Sequence, residues 1–290
     1  MNKKLLPLYG LMHIAKNLKK IIVFLDGLIE WTGLNIALTN KQKKILSKNR
    51  HFKAKHKGEA AFVIATGPSL KKQNIDSLGD FVTFSVNAFF KHKCIKKWQP
   101  NYYSLLDKNL LDSDDRSLDD FYKEIREVVD KTTFFLPLYR GYDFNNERRA
   151  IKNKVFYIAH AGSLNLGLEL DKIVPTFDGV AAFSLAQAIY MECNPIYLIG
   201  FDHDYLANRG IDHHFFEGGT IKDHKLTNVP LLDRNPYDYE MEQNLKLWKS
   251  YRWLKKVAEK KGIKIFNATD GGYLDVFERI QFERIPELNK

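Results

Sequence analysis

The residues best suited to chemistry fall into two constellations. The first is Thr66-Gly67-Pro68-Ser69-Leu70, directly after the apolar run Ala61–Ala65. Glycine lets a backbone approach a ligand closely, proline rigidifies the turn, and a serine hydroxyl with the following amide protons can hold a phosphate. The spacing is neither that of a P-loop nor G-x-G-x-x-G, and an ordinary strand-to-helix turn reads the same way. Ser85-Val86-Asn87 closes the next apolar run with an amide able to donate and accept toward a base or ribose. Asp107 closes the third, after Pro100-Asn101-Tyr102-Tyr103.

The second constellation is Gly200-Phe201-Asp202-His203-Asp204-Tyr205, followed by Asp212-His213-His214-Phe215-Phe216-Glu217-Gly218-Gly219. Imidazole is the usual general base at neutral pH, and a tyrosine hydroxyl can stabilise a departing phosphate oxygen. His203, flanked by Asp202 and Asp204, is expected to have a raised pKa and to suit an anionic phosphate better than a base role. A solvent-exposed polar loop is the bland alternative, and a metal site built from Asp202, Asp204 and His213 or His214 is a third. Of the two D-x-D matches, Asp112-Ser113-Asp114 reads as a solvated helix start and Asp202-His203-Asp204 is better placed. The pattern is too short to assign a metal.

These groups need a scaffold that presents them together. Apolar runs at Ala61–Ala65, Phe81–Val86, Tyr102–Leu106, Thr133–Leu136, Val155–Ile158, Pro195–Ile199 and Ile263–Phe266 read as strands. Helical stretches at Leu118–Val129, Gly179–Glu192 and Tyr239–Lys261 lie between them, the last with Leu247, Tyr251, Leu254 and Ala258 on one face. Alternation of this kind predicts an α/β, Rossmann-like fold with a largely parallel sheet flanked by helices. Ligands of such sheets sit beyond the carboxyl ends of the strands, where both constellations lie.

The chain has 290 residues, 44% hydrophobic and 28% charged, which excludes collagen-like, disulfide-rich and wholly disordered classes. Cys94 and Cys193 are far apart and form no C-x-x-C pair, so a reducing cytoplasm is expected. The net charge of +10 is unevenly placed: residues 1–60 hold 13 Lys+Arg against 3 Asp+Glu, and the remainder balances. A basic arm on a neutral body argues for an anionic surface rather than nucleic acid. Leu11, Ile14, Leu18, Ile21, Leu25 and Leu28 recur at helical spacing, so the arm is expected to be an amphipathic helix docking residues 1–30 on the inner face of a membrane. The competing reading packs that helix on its own domain or on a second subunit of a homo-oligomer, with Lys41 to Lys57 a solvated linker. Lys20, Asp26 and Glu30 interrupt any spanning segment, and no small-residue cleavage site marks a signal peptide. The expected division is residues 1–57, arm and linker, and residues 58–290, a nucleotide-sugar-binding catalytic domain.

Taken in order, Gly67-Pro68-Ser69-Leu70, Asn87, Pro100, Tyr102, Tyr103, Asp107, Tyr197-Leu198-Ile199-Gly200-Phe201-Asp202-His203 and Asn267-Ala268-Thr269-Asp270-Gly271-Gly272-Tyr273-Leu274-Asp275-Val276-Phe277 carry a resemblance. The chain resembles the bacterial domain family that includes motility-associated-factor flagellin glycosyltransferases and archaeal-type hydroxymethylpterin pyrophosphokinases. More distantly it is similar to bacterial CMP-sialic acid-dependent sialyltransferases. The resemblance covers roughly residues 58–280. It implies that Gly67, Pro68, Ser69 and Asn87 hold the nucleotide, with Asp107 and His203 beside them, that Gly179 lies over it, and that Tyr205 binds its phosphate. The sialyltransferase catalytic histidine has no counterpart at its usual spacing before Tyr239. His214 is the substitute, because His-Phe after the strand end recurs in the closer family, with His213 and Asp202 beside it. Ala65 stands where the sialyltransferases have glycine.

The implied function is a glycosyltransferase moving a sialic acid-like sugar from a CMP-linked donor to a glycan or glycolipid hydroxyl, with no metal required. The alternatives are a pyrophosphokinase-like enzyme using ATP and magnesium held by Asp202 and Asp204, and a non-catalytic nucleotide-binding scaffold.

Overall fold

The structure, a computed structural model, describes residues 6–106, 117–138, 151, 154–162, 167–208, 213–216 and 236–289. Nine described strands form one sheet: β1 (Ala61–Ile64), β2 (Val82–Val86), β3 (Tyr102–Ser104), β4 (Thr133–Pro137), β5 (Lys154–His160), β6 (Ile173–Val174), β7 (Ile196–Ile199), β8 (Ile265–Asn267) and β9 (Glu278–Arg279). The helices are α1 (Leu6–Ala37), α2 (Asn40–Ser47), α3 (Ser117–Val128), α4 (Val180–Tyr190) and α5 (Tyr237–Lys260). Every strand pairing is parallel, in the order β6-β5-β4-β3-β2-β1-β7-β8-β9.

Parallel strands are covered on both faces, which is why β1 and β7 are unbroken apolar runs. In β1, Ala61 and Val63 pack with α4 and α5, whereas Phe62 and Ile64 pack on the opposite face with α3 and the turns after β1 and β2. Helix α4 is buried from Ala181 to Tyr190, which its small residues permit by letting it lie close to β1, β2 and β3. The chain proceeds outward from β1 to β6 and then returns to place β7 on the other side of β1. The crevice beyond the carboxyl ends of β1 and β7 is thus the topological switch point, the ligand-binding position of open α/β sheets. Strands β6 and β9 escape sequence reading because two residues show no period, and Glu278 and Arg279 are exposed and charged.

The expected linker is a correction. Thr39 opens α2 with a capping box, its hydroxyl accepting from the Gln42 amide at 3.2 Å while its own amide donates to Gln42 Oε1 at 2.9 Å. Leu46 is buried against Leu138, Ala159 and Ile173. Asn49 donates to the carbonyls of Tyr157 and Leu170 at 2.7 Å each, and Phe52 is buried among Tyr102, Phe135 and Phe156. Residues 40–57 therefore belong to the body, because Leu46 and Phe52 complete its core.

Helix α1 leaves Ile14, Leu18, Ile21, Ile22, Val23, Phe24, Leu25, Ile29 and Ile36 exposed. Five of these are consecutive, so near Ile21–Leu25 the apolar surface wraps round the helix instead of forming a single stripe. Among the described residues no helix is long and apolar enough to cross a membrane. Cys94 and Cys193 are both buried and unpaired, and burial pushes each thiol up to about 12.

Candidate functional site

At the switch point the two constellations meet, and the first thing they build is a clasp. Asp202 is buried, and its carboxylate accepts from the Ser69 amide at Oδ1 (3.0 Å) and from the Ser69 hydroxyl at Oδ2 (2.8 Å). Burial pushes this carboxyl above the usual carboxylate range and the charge of Asp204 adds to the rise, while the two Ser69 bonds oppose it. Gly67 has an ordinary φ of −63°, yet a Cβ on it would overlap Asp202 Oδ2 and the Gly200 carbonyl oxygen. Glycine is required there for space. The Asn267–Gly272 loop closes the clasp from below: the Phe201 amide donates to Thr269 Oγ1 at 3.0 Å, and the Tyr273 amide to the Asp202 carbonyl at 2.8 Å. Gly272, at φ +74°, lies so close to the Asp202 backbone that no side chain fits.

The structure gives Ser69 a different task from the phosphate contact that its sequence position suggests. A buried carboxylate must be hydrogen-bonded, and Ser69 supplies both bonds, so its donors are spent on Asp202 and neither Pro68 nor Ser69 lines the cavity. The Asn267–Gly272 element acts as a strut for the end of β7.

Beside the clasp opens a cavity of about 260 Å³, to which Thr66 and Gly67 come from β1, Asn87 from β2, Gly179 from the start of α4, and Asp202, His203, Asp204 and Tyr205 from β7. His213, His214 and, from α5, Leu247 and Tyr251 complete the wall. Asn87 sits at φ +45°, a conformation asparagine tolerates better than most residues. Its carbonyl is held by the Tyr103 hydroxyl at 2.6 Å, and its side-chain Oδ1 is buried with no partner. An orphaned acceptor of that kind needs a donor, from an ordered water or a ligand.

His214 is tied to the end of β1 twice over. Its Nδ1 lies 3.0 Å from Thr66 Oγ1, and the following residue, Phe215, donates its amide to the Thr66 carbonyl at 3.0 Å. Its ring stacks on Phe216 at 5.1 Å and 5°. His213 turns instead to Asp204, with Nδ1 3.2 Å from Oδ1, and packs against Tyr205 at 4.6 Å between ring centroids. Tyr205 is 40% exposed at the cavity mouth. Thr66 positions His214, and the sequence signals this only by a hydroxyl next to Gly67 at a strand end.

The expected charge on His203 is overturned. Its Nε2 shares a 2.9 Å hydrogen bond with the Tyr251 hydroxyl, and its ring meets Trp248 edge-on at 5.5 Å. Burial pushes its pKa down to about 4 and outweighs the pull of Asp204, which favours the neutral imidazole.

Asp202 and Asp204 do not fit a magnesium cage. Both Asp202 oxygens are engaged by Ser69, and Asp204 faces Asn208 at 2.8 Å and His213. Among the described residues no three carboxylate, imidazole or thiol groups converge to hold an ion. Asp107, the Asp112-Ser113-Asp114 match and Glu217 lie outside the described residues.

Residues 36–208 match a family described as MptE-like, 6-hydroxymethylpterin diphosphokinase MptE-like. The span is more than half of the chain; it takes in the clasp from Gly67 to Asp202, Asn87 and Tyr205, and stops before His213 and His214. No curated protein matches the chain.

Proposed function

The chain belongs to the MptE-like family, and from that membership we propose a nucleotide-dependent transferase whose donor nucleotide lies in the cavity between the ends of β1, β2 and β7. The observation that carries this is Asn87, which lines the cavity at the ligand position of an open α/β sheet and whose buried Oδ1 has no partner among the described residues. An amino group of a base or a ribose hydroxyl supplies the missing donor.

The reaction best suited to this wall is glycosyl transfer from a CMP-linked, sialic acid-like donor to a hydroxyl of a glycan or glycolipid. The described lining carries the hydroxyls and amide of Thr66, Asn87 and Tyr205 and three imidazoles, with no lysine or arginine, alongside two carboxylates. That suits a single-phosphate leaving group better than the four charges of ATP. The acceptor oxygen bonds to the anomeric carbon as the bond from that carbon to the phosphate oxygen breaks. The electron pair leaves with CMP, and the acceptor proton goes to His214, whose ring Thr66 and Phe216 orient. A second reading follows the family's description: ATP occupies the same cavity, its terminal pyrophosphoryl group moves to a hydroxyl and AMP departs. A thermal-shift comparison of CMP, CMP-N-acetylneuraminate and ATP with and without magnesium separates the two. A binder at a hundredfold excess over its Kd raises stability by about 2.7 kcal/mol. CMP ligands should shift the midpoint and ATP should not; the reverse result establishes the diphosphokinase reading, and no shift with any nucleotide removes both.

For the arm we propose docking on an anionic bilayer. Its exposed apolar side chains, with five lysines against two carboxylates in residues 1–30, supply the two ingredients of interfacial binding. Deleting residues 1–30 should abolish co-sedimentation with phosphatidylglycerol vesicles while nucleotide binding persists. Aggregation or unfolding of the truncated protein would show that α1 belongs to a core or a subunit interface.

A further inference from the structure

Resting on the transferase reading, we propose that a second groove, on the far side of His203, holds the acceptor as a pyranose bearing an anionic group. The groove has a volume of about 470 Å³ and runs between the loop after β7 and α5, walled by Tyr237, Met241, Leu245, Trp248, Arg252 and Tyr273. His203 lines both this groove and the nucleotide cavity, so one side chain separates the two. An acceptor here would reach the donor by passing that single residue.

The wall has the chemistry of a sugar site. Trp248 is fixed by its indole N–H, which donates to Asp275 Oδ1 at 2.9 Å, and by its edge contact with His203. Tyr237, Met241, Leu245 and Tyr273 are about half exposed, a cluster of large apolar and aromatic groups left open to solvent beside a cavity. Aromatic faces pack on the C–H face of a pyranose, and a tyrosine hydroxyl can hydrogen-bond to its rim. Arg252 is exposed and has no ion-pair partner among the described residues. A planar guanidinium is built for the two oxygens of a carboxylate or phosphate. A purely apolar chain would leave that charge unused.

Saturation-transfer NMR on the full chain tests this with methyl glucuronide, glucose 6-phosphate, methyl glucoside and 1-octanol, each with and without CMP. The anionic sugars should receive saturation and methyl glucoside much less, the stronger of the two naming carboxylate or phosphate. Arg252→Gln should weaken the anionic sugar roughly tenfold, the loss expected for a hydrogen bond to a charged group. Tyr273→Ala should reduce saturation of the ring protons; both positions are exposed, so the fold survives, and CMP affinity should not change. The proposal is overturned if methyl glucoside binds as well as the anionic sugars, if 1-octanol is preferred to both, or if the two variants bind like wild type. Sugar binding without CMP binding would keep the groove and remove the donor reading; CMP binding with unaffected variants would do the opposite.

Discussion

Around the same strand ends, the clasp and the cavity treat their polar groups in opposite ways. In the clasp Asp202 takes two bonds from Ser69, Thr269 takes the Phe201 amide, and no room remains for a Cβ at Gly67. In the cavity Asn87 Oδ1 is buried with nothing to accept from, and His214 is oriented by one hydroxyl and one stacked ring. Saturated groups hold a wall in place, whereas an orphaned group on a cavity wall leaves bonding capacity open, so the clasp should answer to stability measurements and the cavity to binding and rate.

Substitutions can break that separation. The largest effect is expected at His214: replacing it with glutamine, which can still pair with Thr66, should cut kcat by about 10²–10⁴ with donor affinity and melting temperature nearly unchanged. A comparable fall in nucleotide affinity would make it a ligand of the donor. Gly67→Ala should do the reverse, costing about 3 kcal/mol through overpacking and disturbed Asp202 bonds, read as a lower denaturant midpoint. Gly33→Ala, in α1 with nothing within 4 Å of its added Cβ, is the control and should be neutral or slightly stabilising. Equal losses at the two glycines would dissolve the distinction.

A smaller effect concerns pH. His203 is pushed down to about 4 in the folded chain, so between pH 4 and its ordinary value near 6.5 the unfolded state binds more protons. Stability contributed by the neutral imidazole is therefore present above pH 6.5 and lost as pH falls toward 4. Asp202, raised by burial, acts with the opposite sign, its ionisation costing stability as pH rises through its window. His203→Asn, which tolerates the positive φ, should flatten or reverse the rise of stability from pH 4 to 6.5. An unchanged slope would mean that His203 is solvated and the partition open.

The fold was largely legible because strands buried on both faces leave continuous apolar runs, and β1 to β5, β7 and β8 all fall on such runs. Residues 40–57 were hidden by their lysines, which mask Leu46 and Phe52, although Thr39 and Gln42 already spelled a capping box. Within the site the distinctive residues were legible and their division of labour was not. Gly67, Ser69 and Asp202 carry the recognisable spacing because the clasp allows nothing else, while Asn87, which carries the binding argument, is one amide at a strand end. The error at His203 has the same origin: its flanking carboxylates are visible in the sequence, whereas Trp248 and Tyr251, which bury it, are brought there only by the fold.

The central claim, that a nucleotide completes the bonding of Asn87, is met most directly by calorimetric titration of CMP into the wild-type chain and Asn87→Gly. Glycine takes φ +45° freely and keeps the carbonyl that Tyr103 holds, so the substitution removes the amide alone. The account predicts binding weakened by about 1–3 kcal/mol with an unchanged melting temperature in the absence of ligand. Equal CMP affinity in the two proteins would contradict it.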